Sequence, residues 1–458
     1  MQRFKEKLTQ NPKFTNGINL ILEALDEEYG AINQAIPPFI DKEEFCKFYA
    51  ELEQVRGRPL FYPYLSSGAG NGPLVELADG SIKWDFICGL GVYFFGHGNQ
   101  ELWRVALEAS INDVVFEGSL MPGPEIEALS TRLVRLAGGR IQHCWLSLSG
   151  SMANDNALKA IRQKQYPAKR ILAFKDCFAG RTCTMAEVTD NPSYRVNQPH
   201  HGEVSYIPFF NPDDPDSTEN SLSAIRSYLE RYPGEFAAFM LEIVQGEGGF
   251  NTAPREFFET LIKYCKDQGL AIWVDEIQTF ARTEEVFAYQ KLGLSDLVDI
   301  VTCGKILQGS AMLMTKEYNP QPGLIAGTFA GSVVGMRTAL RTLELLEEGG
   351  YYGPDGKISQ LAAHIESVLS EMQTRLGKEV INNYSVFGSM VSVTLFDGSL
   401  PQLKKFLFEA FDLGLILFYC GHGPYKVRML LPAAVLSKHQ FSQAMILFEQ
   451  AIKKVQPS

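Results

Sequence analysis

The sequence predicts an α/β protein whose core is a mostly parallel β-sheet covered by helices, with a smaller α+β domain beside it. Three observations carry that expectation. From about Asn99 onward, apolar strand-like runs alternate with amphipathic stretches of helix length, the alternation that builds a layered sheet. The clearest runs are Cys144 to Leu148, Arg170 to Phe174, Ala237 to Val244, Ala271 to Val274 and Leu297 to Thr302, and each gives way to polar or glycine residues. A chain of 458 residues, 45% of them hydrophobic, is longer than one ordinary compact domain, so two domains are the default.

Taken in order, the residues before about Pro59 read as helical. Ile18, Ile21, Leu22 and Leu25 recur on one face, and Pro37-Pro38 punctuates the segment. Leu74 to Phe86 alternates around Asp79-Gly80 and predicts a small hairpin. Residues 1–98 are therefore assigned to the small domain, 99–335 to the large domain, and 336–458 to the remainder of the small one. That last segment opens with a helical pattern running from Gly335 through Leu345. It breaks at Gly349-Gly350, passes through a mixed stretch and closes with an amphipathic helix, Lys438 to Lys454.

A formal net charge of −11 gives no electrostatic reason to expect nucleic acid or an anionic membrane as partner, so small ligands are expected. None of the eight cysteines stands in a C-x-x-C pair, which argues against zinc or a redox couple; no metal is expected, and reduced thiols fit a cytoplasmic location. The charged start lacks a following apolar stretch, and runs such as Phe86 to Phe95 are too short to span a bilayer, so a soluble chain is predicted. Gly89-Leu90-Gly91 lacks the third glycine of a dinucleotide-binding turn.

Ligands of open α/β sheets collect beyond the carboxyl ends of the strands, so chemistry is sought there. Ser149-Gly150-Ser151 follows a strand and opens a helix; its N–H groups face outward at the positive end of the helix dipole, and Gly150 lets a phosphate come close. Asp275 ends the apolar strand Ala271 to Val274, where a buried carboxylate needs a partner such as a pyridinium nitrogen. Lys305 ends another, and desolvation there would free its amine as a nucleophile. Taken singly, each has a plainer reading: a helix N-cap, a strand-end acid in solvent, a solvated lysine. The signal is the three together, in that order.

At this point the sequence resembles the class III aminotransferases, in the fold-type-I group of pyridoxal-phosphate enzymes. Ser149-Gly150-Ser151-Met152-Ala153-Asn154-Asp155-Asn156-Ala157 resembles the family's S-G-[SA]-E-A-N-E-A-A block, and Phe178-Ala179-Gly180-Arg181-Thr182 its F-H-G-R-T. Glu242-Ile243-Val244-Gln245-Gly246-Glu247-Gly248-Gly249 is similar to E-P-[VI]-Q-G-E-G-G, and Asp275-Glu276-Ile277-Gln278-Thr279 to D-E-V-Q-T. Asp299 to Lys305 resembles the lysine-bearing segment, Gly327-Thr328-Phe329-Ala330-Gly331 the G-[ST]-T-[FY]-G-G block, and Lys426 to Pro432 the C-terminal arginine block.

The resemblance implies roles. Lys305 would hold pyridoxal 5′-phosphate as a Schiff base and later move the proton. Gly150 and Ser151 would bind the phosphate, joined by Thr328 from the neighbouring subunit of a homodimer with a shared active site. Phe178 would stack on the ring, Asp275 would pair with its nitrogen, Gln278 would meet its hydroxyl, and Glu242 belongs to the same cofactor set. Arg181 would bind a remote substrate carboxylate, while Glu247 and Arg428 would pair and reopen for 2-oxoglutarate. The activity implied is transfer of an amino group from an ω-amino acid or similar carboxylate-bearing amine to a 2-oxo acid acceptor.

Several positions depart from the family pattern: Met152, Ala179, Ile243, one glycine fewer after Thr279, and Ser332-Val333 where Asn-Pro is common. They place the chain away from the best-known acetylornithine and 4-aminobutyrate enzymes and leave the donor open. His97, between two glycines, is read as structural. The alternatives that keep the cofactor are an aminomutase, racemase or decarboxylase; the alternative from another class is a silent binding protein, which would have no use for an imine-forming lysine.

Overall fold

Strands covered on both faces are near-continuous apolar runs, and the large sheet is built from them. In the computed structural model, which describes residues 3–39, 42–62, 64–113, 115 and 120–456, seven strands form one sheet. Their spatial order is His143–Ser147, Ser310–Met314, Ile300–Cys303, Ala271–Glu276, Phe236–Leu241, Arg170–Phe174 and Val204–Ile207. The last five run parallel; Ser310–Met314 is antiparallel to both neighbours. The central strands are buried from end to end, as their sequences require.

The predicted strands are present, with shifted edges that have local causes. Phe236–Leu241 stops short of Val244 because the Glu242 carboxyl turns back to accept two backbone N–H groups. Ile300–Cys303 begins late because Ser295–Leu297 is a 3-10 turn and Asp299 is held by Lys266 (2.9 Å) and Arg140 (2.8 Å). The helix Gly150–Gln165 packs along the sheet through Ala153, Ala157, Leu158 and Ile161, the i, i+4, i+5, i+8 stripe of an apolar face. It ends at Tyr166, before Pro167, where a proline disfavours helical backbone.

The chain divides into two compact units. One comprises Asn112–Ser359 with Cys420–His422, the other Met1–Ile111, Gln360–Tyr419 and Gly423–Ser458. The first unit thus extends past the edge expected at residue 335. The reason is packing: helix Val333–Glu348 buries Met336, Ala339, Leu343 and Leu346, and lies on helix Pro124–Ala137, whose Leu129 and Leu133 are buried. Arg132 reaches Glu344 (3.0 Å) and Glu347 (2.7 Å) across that seam, and Arg337 reaches the buried Glu125 (3.1 Å).

The other unit holds the expected hairpin, Leu74–Leu77 paired with Ile82–Asp85 around Gly80 at φ 79°. Apart from Cys420, it also holds the sheet ordered Ile381–Phe387, Met390–Leu395, Lys426–Leu430, Phe418–Cys420, whose first three strands pair antiparallel. Of the N-terminal helical face, Ile18 and Leu22 are buried in Pro12–Tyr29, but Ile21 is exposed, so the apolar stripe is narrower than its spacing suggests. His97 bonds Asp85 (Nε2 to Oδ2, 3.0 Å), whose other oxygen accepts the Ile87 and Cys88 N–H groups; it is a structural bridge. Among the described residues no helix is long and apolar enough to cross a membrane.

Candidate active site

The strand order of the large unit brings the exits of His143–Ser147, Arg170–Phe174, Phe236–Leu241, Ala271–Glu276 and Ile300–Cys303 to one edge of the sheet. At the first exit Ser149 caps the helix, its Oγ accepting the Met152 N–H (3.3 Å). Gly150 and Ser151 then occupy the first turn, whose N–H groups have no partner within the helix. A Cβ on Gly150 would fall 2.8 Å from Cγ2 of Ile277, so only glycine lets this turn pack on the Ala271–Glu276 exit. Ser151 Oγ accepts the Arg181 N–H (3.3 Å), tying the phosphate-type turn to the next loop.

Asp275 is buried rather than solvated, which settles the alternatives left open for it in the sequence. Its Oδ1 accepts the Ile277 N–H (2.8 Å) and its Oδ2 the Asn154 Nδ2–H (2.7 Å). Burial pushes its carboxyl up to about 6, opposed by those two hydrogen bonds and by the charge of Lys305. A carboxylate in that state gains from a cationic partner.

Lys305 follows Ile300–Cys303 after the single residue Gly304 and is half-buried. Its backbone sits at φ 47°, the left-handed region that costs a non-glycine residue about 1 kcal/mol or more, a strain typical of residues aimed for chemistry. Gln278, three residues past Asp275, carries a buried Oε1 with no hydrogen-bond partner among the described residues. A Cβ on Gly246 would lie 2.6 Å from that oxygen.

Glu242 ties two loops together: its Oε1 accepts the Phe178 N–H and its Oε2 the Gly246 N–H, both at 3.0 Å. Burial first, and then the charge of Asp275, hold its carboxyl well above the usual range. The Phe178 loop is braced from the other side by Thr189, whose Oγ1 accepts the N–H groups of Ala179 (2.9 Å) and Gly180 (3.2 Å). Arg181 is exposed and places its guanidinium 3.9 Å from the ring centroid of Tyr194. That same ring stands edge-on to Phe178 at 6.1 Å.

Within the large unit, Gly150, Ser151, Phe178, Glu242, Asp275, Gln278 and Lys305 therefore gather at the strand exits by direct contact or through one intervening residue. Thr328 is exposed in the 3-10 turn Thr328–Gly331. Glu247 is half-buried, its carbonyl accepting the Gly421 N–H (2.8 Å). Arg428 belongs to the other unit, 1% exposed on Lys426–Leu430 with its guanidinium 5.6 Å from the Phe418 ring. The sequence reading did not single out Asn154, Thr189 or Tyr194. Asn154 lay inside a quoted block and Tyr194 behind the Asn191-Pro192 turn signal, but neither position carries a chemical signature of its own.

A helix N-terminus for a phosphate, a buried carboxylate for a ring nitrogen, an unused acceptor at Gln278 for a ring hydroxyl and a strained lysine beside them fit pyridoxal 5′-phosphate group by group. This is the site of a fold-type-I pyridoxal-phosphate enzyme. The family model for class III aminotransferases matches residues 61–452, and the chain belongs to that family. It is a pyridoxal-phosphate-dependent aminotransferase.

Among curated relatives, the acetylornithine aminotransferase of Bacillus subtilis is 29% identical over 390 residues, covering 83% of this chain and 93% of that protein. The 5-aminovalerate aminotransferase of Pseudomonas aeruginosa is 27% identical over 404 residues, covering 83% and 91%. Among solved structures, a Bacillus anthracis aminotransferase superposes with a TM-score of 0.79 at 20% identity, covering 91% of this chain and 100% of its own. Lysine aminotransferase from M. tuberculosis gives a TM-score of 0.75 at 20% identity, covering 89% and 100%. These two structures share the fold.

Proposed function

We propose that the enzyme takes its amino group from a donor bearing a remote carboxylate, an ω-amino acid or a close analogue, and passes it to 2-oxoglutarate. When bound, pyridoxal phosphate supplies an electrophilic carbonyl carbon and a ring that accepts electrons. The rest of the work falls to this chain's own residues. The N–H groups of Gly150 and Ser151 receive the phosphate. The Asp275 carboxylate keeps the ring nitrogen protonated, and Gln278 Oε1 accepts from the ring hydroxyl. Phe178 covers a ring face, and Glu242 acts through it, since both Glu242 oxygens already hold backbone N–H groups. Lys305 anchors the cofactor, and its amine, once released, moves a proton at the substrate carbon.

The observation that carries the donor reading is Arg181. It is an exposed guanidinium on the Phe178 loop, and no ion pair to a carboxylate of this chain is present at its head among the described residues. A planar fork of that kind receives a carboxylate bidentately. The activities named for the B. subtilis and P. aeruginosa relatives, on acetylornithine and 5-aminovalerate, agree with such a donor. Glu247 and Arg428 would each serve the acceptor half-reaction, Arg428 as the group for the α-carboxylate of 2-oxoglutarate.

The working form would be a cytoplasmic homodimer in which Thr328 of each subunit completes the other's phosphate site. Around Thr328 the surface supports this: Phe329 is 54% and Leu148 50% exposed, and both line an apolar cavity of about 180 Å³ with Leu307 and Met336. The test is a spectrophotometric half-reaction screen of ω-amino acids, diamines and α-amino acids against the cofactor-loaded enzyme. Donors accepted only when they lack a carboxylate would overturn the role given to Arg181, and turnover without any oxo acid would overturn transamination.

A further inference from the structure

Resting on the reading of Arg181 as the carboxylate-binding arginine, we propose that Tyr194 is a positioning residue that determines specificity for carboxylate-bearing donors. It offers a ring face on which the Arg181 guanidinium lies, leaving the guanidinium edge to meet the substrate.

The geometry separates the two surfaces of the arginine head. Cζ stands over the Tyr194 ring 3.9 Å from its centroid, within stacking distance, and an arginine stacked flat on a ring is held through the face of its guanidinium. The N–H donors lie in its plane and stay available to a carboxylate. Had a carboxylate of the chain anchored Arg181 instead, it would have consumed those donors. An aromatic ring orients the cation without competing for its hydrogen bonds.

Tyr194 is itself held firmly. It closes the turn Pro192–Tyr194, which Asn191 caps by accepting the Ser193 N–H (3.0 Å), and the next residue, Arg195, donates to the Thr189 carbonyl (2.6 Å). Segment 189–195 also braces segment 176–181: Asp190 donates its N–H to the Cys177 carbonyl (3.0 Å), and its Oδ2 accepts the Asp176 N–H (3.0 Å). The edge-on contact of Tyr194 with Phe178 (6.1 Å, 89°) adds a second consequence. One side chain touches both the residue that covers the cofactor ring and the residue that reads the substrate carboxylate, so it sets the spacing between them.

The test uses the cofactor-loaded enzyme and two readouts: KM for 5-aminopentanoate and for pentylamine, and the calorimetric Kd of pentanoate, which carries the carboxylate but no reacting amine. For Tyr194→Leu the KM for 5-aminopentanoate and the Kd for pentanoate both rise, by about two- to fivefold for loss of an exposed cation–π contact, while kcat and the pentylamine values stay put. Tyr194→Phe, which keeps the ring face, restores both constants. If the leucine protein fails to fold, Tyr194→Gln takes its place. Arg181→Met serves as the reference arm. If it leaves the 5-aminopentanoate KM and the pentanoate Kd unchanged, the reading of Arg181 fails. If it raises both while Tyr194→Leu changes neither, or changes pentylamine equally, the positioning role of Tyr194 is overturned and that of Arg181 stands.

Discussion

Asn154 and Asp275, 121 residues apart in the chain, meet through a 2.7 Å hydrogen bond from Asn154 Nδ2 to Asp275 Oδ2. The same nitrogen donates to the Ala179 carbonyl at 2.7 Å, so one amide fixes the acid proposed to pair with the cofactor nitrogen and the loop that carries Phe178. Asn154→Ala leaves Asp275 one donor short in a buried setting, at a cost of about 1–3 kcal/mol. Titration of the cofactor-free protein with pyridoxal phosphate, followed by absorbance, is expected to show about tenfold weaker binding. Unchanged affinity would mean that Asp275 does not need the bridge.

The acids around the site make the cofactor-free protein sensitive to pH. Asp275 is pushed up to about 6 and Glu276 to about 7, both by burial. A carboxyl whose folded-state value lies above its unfolded value favours the folded state when protonated. Its contribution is therefore full at low pH and is lost as pH rises from about 4 through 6 and 7. The melting temperature of the cofactor-free enzyme should fall between pH 5 and pH 7.5, and Asp275→Asn should flatten part of that fall. A slope identical in the two proteins would remove Asp275 as its source.

Lys305, the proposed cofactor-holding lysine, sits in the left-handed backbone region at φ 47°. Lys305→Asn, with a residue that tolerates the left-handed region, should leave the cofactor-free protein as stable as before or raise its melting temperature by a few degrees. The same protein should lose the visible absorbance band that borohydride abolishes, along with turnover. Retained turnover would sink the assignment of Lys305.

Glu242→Gln replaces one acceptor oxygen with an NH₂ group, so either the Phe178 or the Gly246 N–H meets a donor instead of an acceptor. We expect a loss of about 2 kcal/mol in denaturant unfolding and a weaker visible circular dichroism signal from the bound cofactor, because Phe178 is displaced. If instead stability is unchanged and only turnover falls, Glu242 acts on the cofactor directly.

Phe329→Asp puts a charge on a surface that is 54% exposed in the single chain and expected to be covered in the dimer. Light scattering should report a shift to monomer, with weaker phosphate retention because the proposed reach of Thr328 into the partner's site is lost. A dimer with full cofactor affinity would argue against that surface.

Some of this was written locally. The N-cap Ser149, the glycine turn, and the acid and lysine at strand ends could be read because caps, turns and strand exits are decided by a few neighbouring residues, and it was the family resemblance of the surrounding blocks that implied the cofactor. Strands built from strong apolar runs were legible for the same reason. Ser310–Met314 was not, since alanine and methionine carry little strand preference and only its place between two strands makes it one. Val204–Ile207 is a short edge strand, and the helices Lys357–Leu376 and Leu400–Asp412 stood inside a segment legible only as mixed.

What the tertiary structure alone decided is which of these groups lost their water and which touched. Desolvation of Asp275 depends on the strands and helix laid around it, the Asn154 bridge spans 121 residues, and the stacking of Arg181 on Tyr194 joins two loops. The sequence by itself thus determined what the site holds, because cofactor groups need particular residue types at particular strand ends. How strongly each group is tuned, and what keeps Arg181 in place, is set by long-range packing that local sequence does not encode.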